Sequence, residues 1–192
     1  MPLLTTQSAR GYGLTSGGAE TSTFELIDST VVGAGGVSQI VFSSIPSEYK
    51  HLRIMGSVRT EQSGSSGSAL LIQFNGDTGS NYWNHRLYMN GATRATDGSS
   101  SAGSTPQIGN AASDGLDSNL WMPNLIDIVD YRSSVHKNIR SWSGGDWNSA
   151  AGYLMYNDVL WTNTAAITSI RLFHDTNDLG VNTTMSLYGM RG

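Results

Sequence analysis

His51-Leu52-Arg53-Ile54-Met55-Gly56-Ser57-Val58-Arg59 sets Leu52, Ile54 and Val58 in alternation with His51, Arg53, Ser57 and Arg59. Leu70, Ile72 and Phe74 do the same with Ala69 and Gln73. A period of two sends each set to one face of a sheet. Outward from these segments, from Phe24 to Gly192, short alternating runs are separated by Gly/Asn/Asp/Ser clusters, and no stretch reads as a long amphipathic helix. Asn75-Gly76, Asn90-Gly91, Asp97-Gly98 and Asp114-Gly115 are read as tight turns, because these residue pairs tolerate positive φ. Many short strands joined this way describe a sandwich or a barrel. The expected fold is an all-β, jelly-roll-like antiparallel sandwich with an extended N-terminal arm: residues 1–22 form the arm and residues 23–192 a single domain.

Expected strands are Phe24–Val32, Ser38–Ile45, His51–Thr60, Ala69–Asn75, Tyr82–Asn90, Asn124–Tyr131, Lys137–Ser143, Gly152–Asn157, Ile167–His174 and Thr183–Met190. Asn124–Tyr131 carries apolar residues on both faces and is expected to be central. The count is eight to ten. Gly91–Asn119, mostly Gly, Ser, Ala, Asp and Thr, is long for a structureless loop. It holds short strands near Thr93–Thr96 and Gln107–Ile108, or it is a functional excursion.

With 192 residues the chain suits one domain, and 38% hydrophobic residues supply a core. Only 14% are charged and the net charge is −4. With no Lys/Arg cluster, direct nucleic-acid binding is not expected. There are no cysteines, which removes disulfides and thiolate metal sites. No apolar run reaches the ~20 residues of a membrane span, and Met1–Leu4 is too short for a signal peptide. No membrane association is expected.

Residues 1–22 carry few core-forming side chains. They are read either as a tail or as an arm that docks on a partner through Leu3, Leu4, Tyr12 and Leu14. His51, His85, His136 and His174 have no metal-ligand spacing, and no G-x-S-x-G elbow accompanies the many serines. Asn75–Tyr82 has oxygen-bearing side chains but lacks the closing Glu of an EF-hand, so it is read as a turn. No catalytic residue, metal or cofactor is expected. Five tryptophans stand out: Trp83, Trp121, Trp142, Trp147 and Trp161. Trp142 and Trp147 bracket Ser143-Gly144-Gly145-Asp146, read as a turn. With Asp146 and Asn148 they offer a sugar-stacking site; core packing or a subunit contact explains the same residues.

Phe24-Glu25-Leu26-Ile27, Ile45-Pro46-Ser47-Glu48-Tyr49-Lys50-His51-Leu52 and Phe74-Asn75-Gly76-Asp77-Thr78-Gly79-Ser80-Asn81-Tyr82 resemble, in order, segments of a family of tailed-bacteriophage virion proteins met especially among viruses of aquatic bacteria. Ile126-Asp127-Ile128-Val129-Asp130-Tyr131, Ala166-Ile167-Thr168-Ser169-Ile170 and Ser186-Leu187-Tyr188-Gly189-Met190 continue the series. The resemblance implies a structural role in the particle, as a decoration protein or part of an appendage, and does not choose between them. It supplies no catalytic residues. The expected function is a non-enzymatic decoration or cement protein on the exterior of the virion, assembled in the host cytoplasm. Its expected partner is the major capsid protein or another virion protein, and it is expected to be a homo-oligomer, with a trimer suited to a local threefold. The alternative is a head- or tail-fibre module that binds host glycans. A glycan-cleaving enzyme would need two carboxylates across a cleft, and nothing singles out such a pair.

Overall fold

The computed structural model describes residues 23–64, 66–147 and 151–192. The proposed arm, with Leu3, Leu4, Tyr12 and Leu14, lies outside them, as does Asn148. Twelve strands run in order: β1 (Phe24–Val31), β2 (Gln39–Phe42), β3 (His51–Val58), β4 (Gly67–Phe74), β5 (Tyr82–Asn90), β6 (Thr93–Gly98), β7 (Gln107–Ala112), β8 (Met122–Ile128), β9 (Lys137–Asp146), β10 (Gly152–Trp161), β11 (Ile170–Phe173) and β12 (Thr184–Met190). They form an eight-stranded sheet, β1-β12-β3-β8-β9-β10-β5-β6, and a four-stranded sheet, β2-β11-β4-β7. Every strand pair is antiparallel. The chain is an all-β sandwich.

The strand order has a simple logic. Without β5, β6, β9 and β10, the rest pair as β1·β12, β2·β11, β3·β8 and β4·β7. That is one long hairpin rolled up so that successive strands alternate between two sheets, which is jelly-roll topology. The hairpins β5–β6 and β9–β10 then extend only the β1-β12-β3-β8 sheet.

Alternation places the core between the layers. Leu52 and Ile54 of β3, Ile126 and Ile128 of β8, and Leu187 of β12 meet Ile40, Phe42, Leu70, Ile72, Phe74 and Leu172 of the smaller sheet in one buried cluster. β8 is the fourth of eight strands, as its composition suggested, but only its inner face is buried; Leu125 and Asp127 on the other face remain half-exposed.

The long Gly/Ser-rich segment contains β6 and β7. β7 reads Gln-Ile-Gly-Asn-Ala-Ala and is buried despite its polarity. It is the edge of its sheet and pairs only with β4. Side chains of the larger sheet stand in for a missing neighbour. The Asn110 N–H donates to Asn124 Oδ1 at 3.2 Å and to Ser143 Oγ at 3.0 Å. Asn124 Nδ2 returns a bond to the Asn110 carbonyl at 2.7 Å. Ser141 and Asn157 both donate to the Ile108 carbonyl. A backbone polar group buried without a partner costs about 1–3 kcal/mol, so these asparagines and serines are what allow an edge strand to be covered. Gly109 permits the approach, because a Cβ there would collide with Asn124 Oδ1.

The resembling segments meet one another at the corners of the roll. Asn75 donates to the Ala166 carbonyl at 2.7 Å, and its Oδ1 accepts from the Thr168 and Ser169 amides. Tyr131 donates to the Pro46 carbonyl, and the Asp130 N–H donates to His51 Nδ1 at 3.0 Å. Tyr49 donates to Glu25 at 2.9 Å and lies over Gly189, where any Cβ would enter its ring. These segments join strand ends, turns and loops, and their polar residues are used in doing so.

Three expectations need correction. Asp97-Gly98 is not a turn but the end of β6, paired with Arg86 and His85. Ser143–Asp146 is not a turn either: it is the last part of β9 and pairs with Gly152–Met155. Gly144 has φ +151, and a Cβ there would strike the Tyr153 carbonyl; close strand approach, rather than chain reversal, requires that glycine. The strand count is twelve among the described residues, above the expected eight to ten, because the Gly91–Asn119 segment holds both of the short strands it offered: β6, in a hairpin with β5, and β7, paired with β4.

Candidate functional site

The larger sheet has an outer face that no other part of the described chain covers. Register places one residue per strand in rows across it. One row runs Met55 (β3), Leu125 (β8), Trp142 (β9), Tyr156 (β10) and Leu87 (β5). Trp142 is 55% exposed, Leu87 54% and Tyr156 44%. One row away, Leu154 and Met89 are paired and also exposed. Isolated exposed apolar side chains are ordinary, whereas a contiguous patch of them marks a contact surface.

On the other side of the apolar row lies a row of alternating charge: Arg53 (β3), Asp127 (β8), Arg140 (β9) and Asp158 (β10), followed by His85 (β5). Arg53 grips Asp127 with two bonds of 2.6 and 2.8 Å, and this carboxylate raises the guanidinium above its ordinary pKa. Arg140 approaches Asp158 at 3.9 Å. A shallow hollow of about 370 Å³ spans both rows, lined among others by Leu125, Asp127, Arg140, Trp142 and Tyr156.

The glycan-site residues distribute as follows. Trp142 is on the outer face in mid-strand, and its cross-strand neighbour is Tyr156. Asp146 ends β9 opposite Gly152. Trp147 follows at the β9–β10 connection, half-buried, with its backbone N–H donating to the Ala151 carbonyl at 3.2 Å. Sequence reasoning singled out Trp142 but not Tyr156, Leu125 or Leu87, which lie 14, 17 and 55 positions away. Alternation within β5, β8 and β10 was the available signal; the register joining them was not.

The histidines have structural partners where they are buried. His174 Nδ1 accepts from the Thr176 and Asn177 amides at 3.2 and 3.1 Å. Among the described residues no group of three or more His, Cys, Asp or Glu is placed to hold a metal ion. In the Asn75–Tyr82 turn the Asp77 carboxylate accepts from the Gly79 amide at 2.9 Å, from Asn81 Nδ2 and from Trp161 Nε1 at 2.8 Å. Burial pushes this carboxyl up, but the donors outweigh it and the net displacement is below the ordinary value.

A group whose folded pKa lies below its unfolded one stabilises the fold at pH above the unfolded value, near 3.8 here. That stabilisation disappears as pH falls through the folded value. Urea midpoints measured from about pH 6 to about pH 3 should therefore fall more steeply for the native chain than for Asp77→Asn. Equal slopes would show that the carboxylate adds nothing.

Comparison of the chain with models of known protein families, with curated proteins and with solved structures returned no match in any of the three.

Proposed function

We propose that this chain is a non-enzymatic structural protein of a tailed-bacteriophage virion, acting as a decoration or cement protein on the exterior of the capsid, where it bridges subunits of the major capsid protein. One observation carries the reading: two added hairpins widen one sheet of a jelly roll into a broad surface with an exposed apolar row. A flat face of this kind suits protein–protein contact better than enclosure of a small molecule. The ordered resemblance to virion proteins supplies the particle, and residues 1–22, through Leu3, Leu4, Tyr12 and Leu14, supply the attachment to it. Fold alone assigns no function.

The exposed Trp142 ring beside Tyr156 favours a second reading, a head- or tail-fibre module that stacks host glycans with help from Asp146, Trp147 and Asn148. Copy number separates the two. Quantitative mass spectrometry of purified particles should count this chain in the hundreds, in a fixed ratio to the major capsid protein. A count in the tens would favour the fibre module, and absence from the particle would remove both readings.

A further inference from the structure

We infer that the outer face of the eight-stranded sheet is an isologous interface with a second copy of this chain, formed about a two-fold axis that runs parallel to the strands between β8 and β9. The argument is the order of charge. Across β3, β8, β9 and β10 the row reads Arg53, Asp127, Arg140, Asp158. An alternating series of four reverses sign when it is read from the other end. A two-fold axis at its midpoint therefore faces Asp127 with Arg140 of the second copy, and Arg53 with Asp158. All four positions meet opposite charge. A surface that complements itself under a two-fold is what a closed dimer requires.

The same axis aligns the apolar row with itself. Leu125 then faces Trp142 and Met55 faces Tyr156, so an aliphatic side chain meets an aromatic one at each step. Two sheets can pack face to face in this aligned manner, as they do inside sandwiches. The available area is sufficient: eight strands span about 34 Å and seven residues of strand about 23 Å, close to the ~800 Å² per partner of a standard stable interface. An axis perpendicular to the strands would instead set each charged residue against its own copy, like charge on like, or lay the charged row on a different row.

The inference rests on this chain being an assembling structural protein, but its test uses the isolated full chain, so its failure and the failure of the virion reading are distinguishable. Sedimentation velocity at micromolar concentration should show a dimer. Trp142→Ala and Leu87→Lys change exposed side chains, so circular dichroism should remain native while the dimer dissociation constant rises at least about 30-fold. A charge exchange identifies the axis. Arg140→Asp alone opposes Asp127 of the second copy, and Asp127→Arg alone opposes Arg140, so each variant should be mainly monomeric. Mixed one to one, the two variants set the new carboxylate at position 140 of one copy against the new guanidinium at position 127 of the other. The native Asp127–Arg140 pair remains on the opposite side of the axis, and dimers should return. A native chain that sediments as a monomer or a trimer, a dimer that survives the outer-face variants, or folded charge variants that do not recover on mixing would overturn the inference.

Discussion

Replacing Trp161 by alanine is expected to lower the unfolding free energy by about 3–5 kcal/mol, the range for a large aromatic removed from a packed core. Trp161 ends β10 and is fully buried. Its ring lies 5.4 Å from Phe74 and 6.4 Å from Tyr82, nearly parallel to the latter. Lys137 Nζ sits 5.9 Å from its centroid, and the indole N–H donates to Asp77. The residue thus joins the larger sheet, the end of β4 and the turn that follows it. Trp161→Phe separates packing from hydrogen bonding: most of the ring remains, and a loss of about 1–3 kcal/mol is expected from the one donor the Asp77 carboxylate loses while Gly79 and Asn81 stay. Urea unfolding of the two variants checks both values. A loss below about 1 kcal/mol for the alanine variant would contradict the packing described, since truncations in well-packed cores cost more.

Arg59→Ala is expected to cost about 1.5–3 kcal/mol, for a different reason. The Arg59 side chain is 9% exposed. Nη1 donates to the Asp117 and Leu120 carbonyls at 2.8 and 3.0 Å, and Nη2 to the Asp114 and Leu116 carbonyls at 2.9 and 3.2 Å. One guanidinium thus organises the connection from β7 to β8, which has no sheet partners of its own. Without it the Asp114, Leu116 and Leu120 carbonyls lose this donor together, and the Asp117 carbonyl keeps only the Leu120 N–H. Lysine offers three donors without the planar fork, so Arg59→Lys should recover only part of the loss. Limited proteolysis gives an independent measure: the alanine variant should be cut within residues 113–121 sooner than the native chain. Unchanged cleavage and unchanged stability would remove this role.

Much of the fold was legible because alternation is a local signal. Leu52, Ile54 and Val58 define the inner face of β3 whichever strand lies beside it, and all ten expected strands have counterparts. β7 was hard to read because its burial is made possible by Asn124, Ser141, Ser143 and Asn157, residues distant in sequence that answer its edge groups. The Gly144-Gly145 pair invites a turn by composition; only its partners Leu154 and Tyr153 make it strand. The candidate surface was less legible still. Trp142 drew notice as a tryptophan, but its role follows from Leu125 and Tyr156 on either side, and the charged row follows from four strands in a particular order.

By itself, then, the sequence determined the all-β class, most strand positions, the inner face of clearly alternating strands such as β3 and the absence of any thiolate chemistry, because these depend on side-chain period and composition. Only the tertiary structure decided that β5–β6 and β9–β10 widen one sheet of a jelly roll, and that Arg53, Asp127, Arg140 and Asp158 stand in line beside an exposed apolar row. The physical reason is that register is a relation between strands separated by tens of residues. Each strand carries its own two faces locally, but a surface built across strands exists only once their order and alignment are set.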